Sequence, residues 1–137
     1  MKIEYSDRVE WRNEKRYLHR VDGPAIEWIS GHKEWYLNGV RHRVDGPAID
    51  GHPINGSKVW WFNGKLHREG GPAIERINGD KEWWQSGNRH RLDGPAIELI
   101  SGIYQWWIDG CEFYSEEEWF KALDKNSQIA YLFNMEK

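Results

Sequence analysis

The sequence has little of what secreted and membrane proteins use. Cys111 is the single cysteine among 137 residues, so no disulfide can form within the chain, and we expect a reducing compartment, the cytoplasm. The first residues, from Met1 to Tyr5, lack the apolar run of a secretory leader. No stretch is apolar enough to cross a membrane. We therefore expect no secretion and no membrane association.

Strong charge and known catalytic patterns are also missing. The formal net charge is -3 at pH 7, so no basic balance favours nucleic acid and no basic cluster favours a lipid surface. No CxxC pair, phosphate loop, zinc helix or Ser-His-Asp spacing is present. We therefore expect neither an enzyme nor a bound cofactor.

Aromatic residues are abundant instead. Ten Trp, six Tyr and four Phe make up 15% of the chain, which has the length of one domain. Aliphatic residues alone would build a thin core. Large rings, each able to bury roughly 150–250 Å², supply the missing apolar area.

One motif recurs through the sequence: His-Arg-x-Asp-Gly-Pro-Ala-Ile. It begins at His19, His42 and His90, and a variant begins at His67 with Gly70 in place of Asp. The spacings are 23, 25 and 23 residues. A fixed period of this size indicates a repeat architecture. The histidines would lie roughly 10 Å apart along the array, too far for shared metal coordination at about 2 Å.

Each unit contains strand and turn signals. In the unit after Gly23, residues 24–29 and 33–37 are strand candidates, and Ser30-Gly31 and Asn38-Gly39 are turns. The pattern predicts a mainly β fold, an elongated and twisted antiparallel meander that advances roughly 10 Å per unit. The predicted units lie near residues 1–22, 23–45, 46–70, 71–93 and 94–114. The longest carries its two extra residues around Gly51-His52-Pro53.

The two ends differ from the repeats, as end units usually do. Residues 1–18 form a degenerate first unit. Ser115 with Glu118 forms a capping box, which predicts a helix with Trp119, Phe120 and Leu123 on its apolar face. Asn126 is the expected cap of a second helix that carries Ile129, Leu132 and Phe133. Residues 115–137 are therefore predicted to be a C-terminal helical cap, with a partner-binding amphipathic helix as the alternative.

Adjacent residues of a strand point to opposite faces, which sorts the aromatics into two rows. The first ladder is Trp35, Trp60, Trp83 and Trp106, and the second ladder is Tyr36, Trp61, Trp84 and Trp107. Either both ladders are packing between units, or one is exposed and binds a partner. We expect the second ladder to be the binding one.

The recurring Arg and Asp have a structural and a functional interpretation. Asp22, Asp45 and Asp93 are expected to order the Asp-Gly-Pro turns, and Arg20, Arg43, Arg68 and Arg91 to pair with these or with neighbouring Asp residues. The same arginines, beside aromatic rings, could instead hold a nucleotide or another phosphorylated small molecule.

The chain resembles a MORN-type repeat protein. The resemblance lies in an aromatic residue, two others, Asn-Gly, two others and His, as in residues 35–42, and covers about residues 17–110. It implies a meander of hairpins and a non-catalytic scaffold that binds proteins or lipid head groups. Similar His-Arg-x-Asp-Gly-Pro-Ala units occur in bacterial and phage-encoded proteins.

We therefore expect a non-enzymatic binding module. Its partner would be a protein, and this chain could act as an inhibitor of that protein. Such an inhibitor could be of phage or mobile-element origin. Trp, Tyr and Arg are the residues that most often dominate the energy of interfaces. The alternative is sequestration of a phosphorylated small molecule, and homo-oligomerisation remains open.

Overall fold

The structure, a computed structural model, describes residues 1–52 and 56–136, which form seventeen strands and two helices. The strands are β1 (Lys2–Glu4), β2 (Arg8–Trp11), β3 (Ile26–Trp28), β4 (Lys33–Glu34), β5 (Tyr36–Leu37), β6 (Val40–Arg41), β7 (Ile49–Asp50), β8 (Lys58–Val59), β9 (Trp61–Phe62), β10 (Lys65–Leu66), β11 (Ile74–Glu75), β12 (Lys81–Glu82), β13 (Trp84–Gln85), β14 (Asn88–Arg89), β15 (Ile97–Glu98), β16 (Tyr104–Ile108) and β17 (Cys111–Phe113). The helices are α1 (Glu116–Ala122) and α2 (Lys125–Met135).

The strands confirm the predicted antiparallel meander. Eleven of them form one sheet in the order β1-β2-β3-β4-β7-β8-β11-β12-β15-β16-β17. The remaining pairs, β5–β6, β9–β10 and β13–β14, are short hairpins. Each of the three central repeats thus contributes two strands to the main sheet and one hairpin beside it. The insertion expected around Pro53 lies partly outside the described residues.

The strand predicted over residues 33–37 is broken at its centre. Lys33–Glu34 belongs to the main sheet and Tyr36–Leu37 to a hairpin. The backbone N–H of Trp35 donates to the carbonyl of Ala48 in the next unit, and its own carbonyl accepts from His42 in the same hairpin. The backbone therefore pairs with the next unit before Trp35 and with its own hairpin after it, which divides the predicted strand in two. The last unit has no successor, and β16 runs unbroken through Trp106.

The hairpin tips have the backbone that the sequence predicts for a two-residue turn. Asn38 and Gly39 have φ of 50° and 79°, the left-handed region that a type I′ turn requires at both central residues. Asn63-Gly64, Ser86-Gly87 and Asp109-Gly110 repeat this geometry. The turns explain the short, regular hairpins.

The buried centre of the array is built from small and branched residues. The Ala of each motif is completely buried, and three of the four following Ile residues are nearly so: Ala25, Ala48, Ala73, Ala96, Ile26, Ile49 and Ile97. The backbones of neighbouring units meet at these alanines, because each alanine carbonyl accepts the N–H of a first-ladder or end-unit Trp. A larger side chain would separate them.

The C-terminal helices close the last exposed hairpin. Ser115 accepts the N–H of Glu118, as the capping box predicts. The second helix is capped by Asp124, whose side chain accepts the N–H of Ser127, and not by Asn126 as expected. Trp119 is the largest fully buried side chain of the described residues. Neither helix has the length and apolar character that crossing a bilayer requires.

Candidate functional site

The repeated arginines lie between a Trp ring and a glycine. The guanidinium carbons of Arg20, Arg43, Arg68 and Arg91 lie 3.7–3.8 Å from the ring centroids of Trp11, Trp35, Trp60 and Trp83. On the other side of each guanidinium is the motif glycine, where a Cβ would lie 2.7–3.0 Å from the Arg Cζ. A side chain at the glycine would push the guanidinium out of its present position against the ring, so the glycine of the motif suits the stacked arginine.

The same arginines are hydrogen-bonded within their own loops. Each donates from Nη1 to the motif proline carbonyl at 3.0–3.2 Å. Arg20, Arg43 and Arg91 also donate from Nε to the motif Asp at 2.8–3.1 Å. Further bonds from Nη1 reach Glu27, Glu75 and Glu98 at 2.8–3.3 Å. Two or three of the five N–H donors of each guanidinium are thus bonded within its own loop or to the strand that follows it.

The expected turn residues, Asp22, Asp45 and Asp93, are the acceptors of these Nε bonds, and their pairing is within one unit. Their side chains are 67–86% exposed. Arg68 has Gly70 at the corresponding position, and its loop instead places Glu69 against His67 at 3.0 Å. Every one of the four loops thus carries an exposed carboxylate.

The second ladder lies on the opposite side and is half-buried throughout: Tyr36, Trp61, Trp84 and Trp107. Two arginines fill the gaps between its rings. Arg41 lies 5.8 Å from the Tyr36 centroid and 5.3 Å from that of Trp61, and Arg89 lies 5.2 and 5.1 Å from those of Trp84 and Trp107. The indole N–H groups of Trp61 and Trp84 are buried without a partner.

Carboxylates of the main sheet pair with nearby hydroxyl and guanidinium groups. Glu34 accepts from the Tyr36 hydroxyl at 2.7 Å, and burial together with this hydrogen bond raises the pKa of Tyr36. Glu10 is 4% exposed and lies between Arg8 and Arg12. Its burial alone would raise the pKa, but the hydrogen bonds from both arginines lower the pKa of Glu10 on balance. Glu34 is thus bonded to a ring of the second ladder, whereas Glu10 belongs to a separate charge cluster in the first unit.

The repeated histidines connect successive units. The Nδ1 atoms of His19, His42, His67 and His90 each accept a backbone N–H from the hairpin tip of the next unit at 2.9 Å. The sequence did not reveal this role. The only signal for it is that His recurs at a fixed distance before each Asn-Gly-type turn, 19 residues in three units and 21 in the longer one.

Three slots lie between successive motif loops, on the side of the first ladder. Slot 1 is lined by Val21, Trp35, Leu37, His42 and Val44; slot 2 by Val44, Trp60, Phe62, His67 and Glu69; slot 3 by Glu69, Trp83, Gln85, His90 and Leu92. Their volumes are about 610, 800 and 480 Å³. Each has a Trp and a His in its lining and a motif loop on either side.

The loop tips that separate the slots expose aliphatic side chains. Val21 and Val44 are 84% and 81% exposed, and Leu92 is 36% exposed. They occupy the variable third position of the motif, next to the exposed carboxylates. Val, Val, Glu and Leu at this position of an expected turn are the signal in the sequence that could have indicated the exposed ridges.

Among the described residues, no group of three or more His, Cys, Asp or Glu side chains is placed to hold a metal ion. Comparison with protein-family models, curated proteins and solved structures finds no match to this chain. The fold and the repeated loops define the class: an antiparallel meander of repeated β-hairpins, with a row of slots along one side and a helical end.

Proposed function

We propose that this chain is a non-enzymatic binding module of a divergent MORN type, and that its partner is a protein. The observation that carries the proposal is the row of three slots between the motif loops. Exposed valines at the ridges and Trp rings in the slots give an extended surface with repeated apolar contacts. Contiguous apolar surface that remains exposed on a folded chain marks interaction sites.

The second ladder is the other candidate surface on this chain. Arg41 and Arg89 lie between its rings, and Arg89 also pairs with Glu82. The first-ladder rings Trp35, Trp60 and Trp83 are each covered by an arginine as well, but they line slots. Slots 1 and 2 are open and have mainly apolar linings, whereas the lining of slot 3 is more polar. We therefore propose that the protein partner binds in the slots. The alternative binding surface is the second ladder: Tyr36, Trp61, Trp84 and Trp107.

Binding of a phosphorylated small molecule is the alternative, and its support is weaker. A phosphate needs free guanidinium donors, whereas Arg20, Arg43, Arg68 and Arg91 are stacked and paired in their own loops with side chains only 17–29% exposed. Exposed carboxylates at the loop tips would also repel it. A thermal shift of several degrees with a nucleotide panel would favour this alternative.

Site-specific photo-crosslinking tests the protein-binding proposal. A photoreactive amino acid replaces Val44, between slots 1 and 2, and in a matched control it replaces Ile29, which is 79% exposed at a main-sheet turn. Both proteins are irradiated in an extract of the cells that encode this chain. We expect a discrete adduct at position 44 and none at 29. Equal labelling at both positions, or none at either, would contradict the proposal.

A further inference from the structure

The three slots repeat at the spacing of one structural unit. Each unit contributes two strands to the main sheet, so neighbouring slots are roughly 10 Å apart. Three residues of polyproline II helix span about 9.3 Å, and every third side chain returns to the same side. Three residues of β-strand span a similar length, but the third side chain points to the opposite side. The period therefore fits a polyproline II ligand better than a strand.

Each slot offers an unused hydrogen-bond donor. Trp35, Trp60 and Trp83 each line one slot, and among the described residues their indole N–H groups form no hydrogen bond and are not among the fully buried unpaired groups. A polyproline II segment has no internal hydrogen bonds, and its carbonyls need external donors. Indole is a donor with no acceptor capacity. A set of Trp donors one unit apart is therefore complementary to such a backbone.

The charge around the slots selects a basic segment. Each slot lining holds as many arginines as carboxylates, but the carboxylates are 67–86% exposed and the arginines only 17–29%. Arg20, for example, pairs with both Asp22 and Glu27. Arg91 likewise faces Asp93 and Glu98. The exposed ends of these clusters are the loop-tip carboxylates, whereas the guanidinium groups lie beneath them. A ligand that crosses the ridges meets aliphatic side chains and negative charge in alternation.

From these three observations we propose that slots 1–3 bind a basic, proline-rich segment of a partner protein in the polyproline II conformation. Successive turns of the segment enter successive slots. Proline rings lie against the Trp rings, Leu37 and Phe62, and Lys or Arg side chains reach the loop-tip carboxylates. Grooves lined by aromatic side chains recognise such segments because the ligand is already ordered before binding. The inference rests on the proposed function and specifies its partner.

Synthetic peptides test this directly. The probe is a peptide of four Pro-Pro-Arg triplets. One control, four Pro-Pro-Glu triplets, keeps the conformation and reverses the charge; another, four Gly-Ser-Arg triplets, keeps the charge without the conformation. A third is a basic amphipathic helical peptide of equal charge. Affinity is measured by isothermal titration calorimetry with the whole chain.

We expect the Pro-Pro-Arg peptide to bind at least tenfold more tightly than each control. The indole N–H resonances of Trp35, Trp60 and Trp83 should shift together on addition of the peptide, while that of Trp61 should not. Equal affinity for the Gly-Ser-Arg peptide would mean that charge alone accounts for binding, and this would overturn the proposal. So would tighter binding of the helical peptide, or the absence of binding by all four.

Variants at the ridges supply the matched control. Val44→Ser and Glu69→Gln alter side chains that are more than four-fifths exposed, so the fold should persist. Each variant should lower the affinity for the Pro-Pro-Arg peptide about tenfold. Ile29→Ser and Glu117→Gln, made at exposed sites away from the slots, should leave the affinity for this peptide unchanged. If the peptides fail while crosslinking at position 44 still captures a protein, this inference is wrong and the proposed function stands. If crosslinking also fails, both are wrong.

Discussion

Trp119 lies against Trp106, with ring centroids 4.7 Å apart, in the place where earlier units put an arginine. In the preceding unit, Arg91 covers Trp83 at 3.7 Å. The chain position that corresponds to this arginine in the last unit is Tyr114, which is 84% exposed. Helix α1 thus supplies an indole from beyond the array, and the Nε1–H of Trp119 donates to the carbonyl of Arg91 at 3.1 Å. Trp119 therefore covers the last ring of the first ladder, as an arginine does in the earlier units.

This relationship gives the first expected outcome. Trp119→Ala should lower the free energy of unfolding by about 3–5 kcal/mol, the usual cost of removing a fully buried large ring. Urea denaturation followed by circular dichroism measures it. Leu132→Ala, at a residue 52% exposed on α2, is the matched control and should change little. If the Trp119 variant unfolds at the same urea concentration as the control, the indole is not what closes the array.

The second expected outcome concerns the Arg–Gly pairing of the motif. Gly46→Ala would place a Cβ 2.8 Å from the Cζ of Arg43, so it should destabilise the protein by about 1–3 kcal/mol. Arg43→Ala should also destabilise it, because the stack on Trp35 and the bonds to Asp45 and Pro47 are lost.

The double variant separates packing from other effects. With Arg43 absent, the alanine at position 46 meets no guanidinium, so the two losses should be less than additive by about 1 kcal/mol or more. Urea unfolding of the four proteins of the cycle provides the coupling energy. Strict additivity would mean that Gly46 is needed for a reason other than its contact with Arg43.

The general form of the fold could be predicted from the sequence, because it depends on local signals. Asn38-Gly39 and its equivalents predicted the hairpin tips, and Ser115 with Glu118 predicted the start of α1. The break at Trp35 could not be predicted, since it arises from a hydrogen bond to Ala48 in the next unit. The cap at Asp124 was missed because Asn126 is an equally good capping residue, and spacing alone does not choose between them.

The candidate site was less predictable, for a similar reason. The sequence placed Arg43 beside aromatics and Asp45, but only the packed units show that its guanidinium lies between Trp35 and Gly46. The contact depends on how the motif loop folds back over the hairpin. The sequence did not single out Val44, because its exposure becomes informative only beside the slots that the packed units form.

The third expected outcome distinguishes core from surface in the second ladder. Trp84→Ala should lower the free energy of unfolding by about 3 kcal/mol, because a large packed ring is removed together with its contact to Arg89 at 5.2 Å. Trp61→Ala should behave similarly beside Arg41. Tyr104→Ala, at a ring 57% exposed, is the control with little expected change. Thermal unfolding measures all three. Stable Trp61 and Trp84 variants that lose the crosslinked partner would move the binding surface to this ladder.

The fourth expected outcome is a loss of stability at alkaline pH that depends on Tyr131. Its hydroxyl donates to the carboxylate of Glu116 and so links the two helices. Burial, then this hydrogen bond, raises the pKa of Tyr131 from 10.0 to about 12. The folded protein therefore keeps a proton that the unfolded chain releases between these two pH values.

The sign of the effect follows from that difference in bound protons. The stability due to Tyr131 is fully present below pH about 10 and is lost as the pH rises towards about 12. Other groups also titrate there, so the informative quantity is the difference in unfolding free energy between the wild type and Tyr131→Phe. That difference should shrink steadily over this window, as urea titrations at successive pH values would show. Tyr104→Phe, which changes an exposed ring, should give a difference that does not vary with pH. A constant difference for Tyr131→Phe as well would mean that its hydroxyl contributes no pH-dependent link between the helices.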